Sequence, residues 1–304
     1  MQYKTLKMKN FIIIGAAGYI APRHMKAIKD TGNNLIAAFD PHDGVGILDK
    51  YFPEVKFFNQ FERMDRYLNK IINEGCKIDY VSICSPNHLH DYYMRYGLGI
   101  GANVICEKPT VLNTWNIDSL HEYEKRFNNK IFNILQLRLH PSIISLKKSI
   151  STKSNKVELK YITSRGSWYS TSWKGDITKS GGLATNIGIH FFDMLNWIFG
   201  PYDSLENIKC SSKTISGSMK LKNADVDWLL SIDKKLLPKN YINSSQNFFR
   251  SILINGNEIE FSKGFDDLHT TSYEEILNGR GFTLNDVKPS IEIVSKIREH
   301  EKRI

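Results

Sequence analysis

The sequence predicts an α/β protein of two domains. Residues 1–135 would form an N-terminal domain on a doubly wound parallel sheet, and residues 136–304 an α+β domain with a large, mostly antiparallel open sheet. Three observations carry this reading. Apolar, β-branched runs alternate with helical patterns through the first half, as in parallel sheets. After about residue 135 the alternation fades and longer strand-like segments take over. A chain of 304 residues exceeds the usual single-domain size, and its 41% hydrophobic content supplies ordinary cores.

Asn10 to Ile14 reads as a buried first strand, followed at once by Gly15-Ala16-Ala17-Gly18-Tyr19-Ile20-Ala21. Pro22 to Asp30 reads as a helix: Pro22 suits a first turn, Met25 and Ile28 share a face, and Gly32 follows as a stop. Strand, glycine turn and helix together bring backbone N–H groups to a pyrophosphate at the positive end of a helix dipole. The turn is a variant, G-x-x-G-x-x-A, of the dinucleotide fingerprint, with Ala17 at the place of the second glycine and Gly18 displaced by one.

The second strand, Asn34 to Phe39, ends in Asp40, near the position where a carboxylate accepts ribose hydroxyls and repels a 2′-phosphate. That favours NAD over NADP. The plainer alternative makes Asp40 a turn residue before Pro41.

Further units follow: a strand at Val55 to Phe58, a helix from Phe61 to Asn73, and the strand Asp79 to Cys84 running into Ser85-Pro86-Asn87-His88-Leu89-His90. Next come a helix to Leu98, the strand Asn103 to Ile105, Cys106-Glu107-Lys108-Pro109-Thr110, a helix from Thr114 to Phe127 and a strand from Lys130 to Leu137. Lys108 thus stands at the C-terminal end of a parallel strand, the edge where such sheets bind ligands. The alternative is a solvated lysine beside a turn-making proline. His88 and His90 have no third ligand nearby, so a helix-entry or cofactor-lining role is expected and no metal.

In the second half, strands are expected at Val157 to Ser164, Asn207 to Thr214, Asp225 to Ile232 and Asn247 to Ile254 running into Glu258-Ile259-Glu260-Phe261. Helices are expected from Ile187 to Phe199 and from Thr283 to Arg303. Asn186 and His190, four apart, would share one helical face, and a histidine near neutral pKa is a usual proton carrier. The alternative is a core histidine, flanked as it is by Ile189 and Phe191. Arg138, His140, Arg165, Tyr169, Trp173 and Lys174 form a denser polar set than structure alone requires.

The charge of +9 is scattered, without a basic helix interleaved with aromatics, so nucleic acid is not an expected partner and small anions are. Cys76, Cys84, Cys106 and Cys210 lack C-x-x-C spacing, and two lie in apolar runs, which favours reduced thiols and a cytoplasmic address. No apolar run approaches the roughly 18 residues of a membrane helix, and Met1 to Lys9 reads as a short polar extension.

Gly15 to Ala21, Ser85 to His90, Glu107-Lys108-Pro109 and Gly181-Gly182 to His190 together resemble the Gfo/Idh/MocA oxidoreductase family over nearly the whole chain. The resemblance implies a Rossmann domain that binds NAD through Gly15, Ala17, Gly18, Tyr19, Ile20 and Asp40. It adds Ser85, Pro86, Asn87, His90, Glu107 and Lys108 from the later strand ends. It places Lys108 by the nicotinamide and His190 opposite, and it gives substrate contacts to Asn186 and the polar set above. One departure is that the family often carries Asp where this chain has Asn186; an amide takes up no proton, so a hydrogen-bonding role is implied.

Within the family, Gly15 to His24, Val45 to Asp49, Leu135 to Pro141 and Ala184 to Asp193 are similar to a group that oxidises the 3-hydroxyl of UDP-N-acetyl-glucosaminuronic acid. That group serves diacetamido sugars of bacterial surface polysaccharide such as lipopolysaccharide O-antigen, in part with 2-oxoglutarate as hydride acceptor. Arg138, Arg165 and Lys174 suit its carboxylate or diphosphate. The resemblance also implies a homo-oligomer, dimer or tetramer, built through the open sheet. The rival readings are a dehydrogenase of another sugar or a cyclitol, and a sugar-nucleotide sensor without turnover.

Overall fold

The computed structural model describes residues 8–151, 154–242, 247–259 and 267–301. The chain divides into two compact units. The first comprises residues 1–110, 116–134 and 267–284, and the second residues 111–115, 135–266 and 285–304.

The first unit is built on six strands: β1 (Asn10–Ile14), β2 (Asn34–Phe39), β3 (Lys56–Phe58), β4 (Tyr80–Ile83), β5 (Asn103–Cys106) and β6 (Ile131–Asn133). Their order is β3-β2-β1-β4-β5-β6, and every neighbouring pair is parallel. Helices follow the strands: α1 (Ala21–Asp30), α2 (Phe61–Asn73), α3 (His90–Gly99) and α4 (Thr114–Phe127). A parallel sheet covered on both faces needs uninterrupted apolar strands, and Phe11, Ile12, Ile13, Ile14, Val81 and Ile83 are all fully buried. Strand order reverses between β1 and β4, so their C-terminal ends, at Gly15 and Ser85, open the crevice where such sheets take ligands.

Two features of this unit were not expected from sequence. The strand from Lys130 stops at Asn133, and Gln136–Leu139 forms a 3₁₀ turn instead. The chain also returns: Leu268–Leu277 forms a helix that belongs here, outside the 1–135 boundary. Its Tyr273 is fully buried and stacks on Phe11 at 5.8 Å.

The second unit carries β7 (Asn155–Thr163), β8 (Tyr202–Cys210), β9 (Thr214–Leu221), β10 (Ala224–Ser231), β11 (Phe248–Ile254) and β12 (Asn257–Glu258), in the order β12-β11-β7-β10-β9-β8. Among the described residues, β7 and β10 run parallel and the other neighbouring pairs of this sheet antiparallel. Its helices are α5 (Pro141–Ser149), α6 (Ile189–Phe199) and, after α7 (Leu268–Leu277) of the first unit, α8 (Leu284–Glu301). Phe192 of α6 meets Trp228 edge-on at 5.2 Å, and Gly188 leaves room for Leu230, where a Cβ would come within 2.4 Å.

The strand expected at Asn207 to Thr214 is corrected to two. The Ser211 N–H and hydroxyl donate to the Thr214 carbonyl and the Ser211 hydroxyl accepts the Thr214 N–H, and this polar turn splits the run into β8 and β9. Glu260 and Phe261, and the expected end of the last helix at Arg303, lie outside the described residues. Among the described residues no helix is long and apolar enough to cross a membrane.

Candidate active site

In the first unit the site is the glycine turn and the ends of β2, β4 and β5. Gly15 has φ +92°, and a Cβ on it would lie 2.6 Å from the Cys84 carbonyl carbon and the Ser85 nitrogen, so only glycine lets β1 and β4 approach this closely. The Asp40 carboxylate, buried beside the turn, accepts the Ala17 N–H at 3.0 Å and the His42 N–H at 2.9 Å. Each oxygen keeps a further lone pair. Tyr19 is 86% exposed, and Ile20 lies between it and α1.

At the end of β4, Ser85 Oγ is buried without a hydrogen-bond partner among the described residues. An orphaned hydroxyl beside a glycine cradle, with a carboxylate at the end of β2, fits a dinucleotide. Pro86 leads into a 3₁₀ turn at Asn87–Leu89, which buries Asn87. His90 begins α3 fully buried, with Nδ1 2.7 Å from the Pro109 carbonyl and Nε2 2.8 Å from the Ser85 carbonyl. It therefore ties the β4 loop to the segment after Lys108. Lys108 is half-buried, and its bond to Pro109 is cis.

Glu107 does not line the cofactor crevice as the sequence reading had it. Its side chain turns inward, where Oε1 accepts from His24 Nε2 and His269 Nε2, each at 2.9 Å, and Oε2 accepts the Lys108 N–H at 3.2 Å. Burial pushes the carboxyl upward, but the two histidines outweigh it and hold Glu107 well below the usual carboxylate range. Behind it, His24 Nδ1 lies 2.8 Å from Tyr273 Oη, which lies 2.7 Å from Ser82 Oγ.

In the second unit, Gly181 and Gly182 have φ +82° and +84°, and Ala184–Gly188 forms a wide π-helical turn that runs into α6. Asn186 stands on this turn and half-buried His190 in the first turn of α6. Asn186 Nδ2 donates to Tyr169 Oη at 2.8 Å, the hydrogen-bonding role its amide permits. Burial pushes the Tyr169 hydroxyl up, against the opposing effects of Asn186 and Arg165. Lys174 Nζ lies 5.1 Å from the Trp168 ring and 5.5 Å from the Trp173 ring, and burial, then Arg165, lowers its pKa. The structure thus gathers Arg165, Tyr169, Trp173, Lys174 and Asn186 within one unit.

Arg138 and His140 are corrected. Arg138 is buried, with Nε and Nη2 on the Asp193 carboxylate at 2.9 and 2.8 Å, Nη2 also on the Asp286 carbonyl and Nη1 on its carboxylate. A guanidinium engaged at every nitrogen supports the fold and has no fork left for an anion. His140 is buried and caps α5, its Nδ1 accepting the Ser142 N–H.

The family model for the oxidoreductases with an NAD-binding Rossmann fold matches residues 9–134, and that for their C-terminal alpha/beta domain matches 153–214. The chain belongs to the Gfo/Idh/MocA oxidoreductase family. Among solved structures, the WlbA (WbpB) dehydrogenase from Thermus thermophilus in complex with NAD and α-ketoglutarate is 44% identical. That match covers 96% of this chain and 95% of that one, with a TM-score of 0.93. The same dehydrogenase in complex with NAD and UDP-GlcNAcA matches with a TM-score of 0.92 at 44% identity over the same shares. Inositol 2-dehydrogenase from Rhizobium meliloti is 27% identical over 194 residues, 62% of this chain, so the chain spans about half, 54%, of that relative's length.

Sequence reasoning missed three groups that shape this Gfo/Idh/MocA site. His269 and Tyr273 stand four apart on α7, on the buried face that also carries Leu268, Ser272 and Ile276, and this spacing was the available signal. Glu301, at the end of α8, accepts the N–H groups of Leu183 at 3.0 Å and Ala184 at 3.4 Å, capping the segment that carries Asn186 and His190. A cap supplied from 117 residues away leaves no local pattern.

Proposed function

We propose that this Gfo/Idh/MocA protein oxidises the 3-hydroxyl of UDP-N-acetyl-glucosaminuronic acid to the 3-keto sugar with NAD, in the cytoplasm, on the route to diacetamido sugars of surface polysaccharide. The observation that carries the reading is the 44% identity, over nearly the full length of both chains, to a dehydrogenase solved with NAD and UDP-GlcNAcA.

The cofactor would be held by the Gly15 turn, the Ser85 hydroxyl and the Asp40 carboxylate, with Gly18, Tyr19, Ile20, Pro86, Asn87 and His90 shaping the surround. When bound, NAD would supply the hydride acceptor for the sugar's C3, and 2-oxoglutarate, taking up a hydride and a proton to become 2-hydroxyglutarate, would be the final acceptor. Lys108 holds the reacting hydroxyl with its ammonium and stabilises the negative charge that develops as the proton leaves. His190 takes that proton, directly or through Lys108. Asn186, oriented by Tyr169, donates to the sugar. Arg165 and Lys174 meet the carboxylate or diphosphate, with the Trp173 ring facing the Lys174 ammonium. Fixing the reacting carbon in this way removes an entropic barrier of several kcal/mol, roughly 7–11 in the best cases. Pairing of the open face of the second sheet with another copy would give the homo-oligomer.

The test is incubation of the purified protein with the UDP-sugar acid, with and without 2-oxoglutarate, and mass spectrometry of the sugar. A product two hydrogens lighter is expected. Its absence under both conditions, from protein shown to bind NAD, would sink the assignment and promote another sugar or a cyclitol as substrate.

A further inference from the structure

Glu107 precedes Lys108 in the chain, yet its carboxylate is buried. Leaving an ion in such a place is costly unless every lone pair is used. Here they are well used. A carboxylate only accepts, so His24 and His269 must each donate through Nε2. Burial holds the His24 imidazole below its ordinary pKa, against the upward pull of Glu107, with His269 and Arg23 adding to the fall. A neutral His24 then accepts at Nδ1 from the Tyr273 hydroxyl, which in turn accepts from Ser82. All of these hydrogen bonds point one way, toward Glu107.

The partners come from four elements. His24 lies on α1, the helix opened by the glycine turn; Ser82 lies on β4, Glu107 follows β5, and His269 and Tyr273 lie on α7. The Cys84 and Cys106 thiols beside the carboxylate are pushed well up by burial and are neutral. Burial lowers the His90 pKa, against the upward pull of its Pro109 and Ser85 carbonyl partners and then of Glu107, with Lys108 adding to the fall.

We propose that Glu107 is a positioning residue for Lys108: its carboxylate, clamped by His24 and His269, fixes the end of β5 and supplies a negative charge that favours the Lys108 ammonium. The role of Lys108 in oxidation rests on the function proposed above; the clamp and the charge do not. A fully satisfied buried network is rigid, so it holds the lysine in register with the glycine turn that shares its α1.

The test is competitive acetylation across pH, with the Lys108 peptide read by mass spectrometry and exposed Lys125 as reference. E107Q keeps the shape and removes the charge, so Lys108 should become reactive at a pH lower by about half a unit or more, with Lys125 unmoved. Y273F keeps the charge and loosens His24. Its Lys108 titration should match the wild type, while turnover of the UDP-sugar acid falls about tenfold at unchanged NAD affinity. Lys108 titrating identically in E107Q and wild type overturns the proposal, as does wild-type turnover in Y273F. Should E107Q not fold, Y273F decides. Acetylation needs no sugar, so a wild-type protein inert toward the UDP-sugar acid counts against the proposed function and leaves this result standing.

Discussion

Replacing Glu301 with Gln should remove a pH dependence of stability that the native protein carries near neutrality. Burial is the largest influence on this carboxyl and lifts it from 4.5 to about 7, against the pull of the Ala184 and Leu183 N–H groups and Arg298. Oε2 is buried with no hydrogen-bond partner among the described residues, and a Cβ on Gly182 would lie 1.8 Å from it. Tyr169 and Cys210 also feel the charge. An acid whose folded pKa is raised adds stability that is complete below its unfolded pKa and is lost as pH climbs through the folded one. The shift amounts to about 3 kcal/mol in all, of which about 2.5 kcal/mol disappears between pH 5 and pH 8. E301Q keeps an oxygen for Leu183 and Ala184 and has nothing to titrate. Thermal unfolding of both proteins from pH 5 to pH 8 is the assay. The native melting temperature should fall by roughly 5–10 °C more than that of E301Q over this range. Parallel curves would show that Glu301 carries no such strain.

Four further outcomes are expected. Gly15→Ala forces a side chain into backbone at 2.6 Å with φ at +92°, so thermal unfolding should show a loss of about 2 kcal/mol or more, and NAD binding by titration should weaken with it. Turnover should favour NAD over NADP, and Asp40→Ser should shrink that preference about tenfold, since the carboxylate that repels a 2′-phosphate is gone. Lys108→Met should lower turnover by about two to four powers of ten while leaving NAD binding intact by titration. Asp193→Ala strands a buried guanidinium and should cost about 3–5 kcal/mol in denaturant unfolding, whereas Arg138→Leu with Asp193→Leu together should cost far less.

Features written in contiguous residues were legible, and those assembled from distant ones were not. The Asn10–Ile14 run, the Gly15 turn and Asp40 can be read as one unit because a strand, a close approach and a carboxylate each impose a local residue type. Lys108 was legible for the same reason, as a charge at a strand end. Glu107 and Arg138 show where this fails. Both are charged residues beside site motifs, and local reasoning sends such residues to the ligand. Each is instead paired inside the protein, Glu107 with residues 83 positions before it and 162 after it, and Arg138 with residues 55 and 148 positions on. Only burial separates a charge that binds a ligand from one that binds the fold, and burial is a property of the whole chain's path. The buried faces of α1 and α7 held the usable clue. His24, His269 and Tyr273 stand on them, and a polar residue on a face that must be buried requires a partner there. An acid adjoining a strand-end lysine could have been that partner.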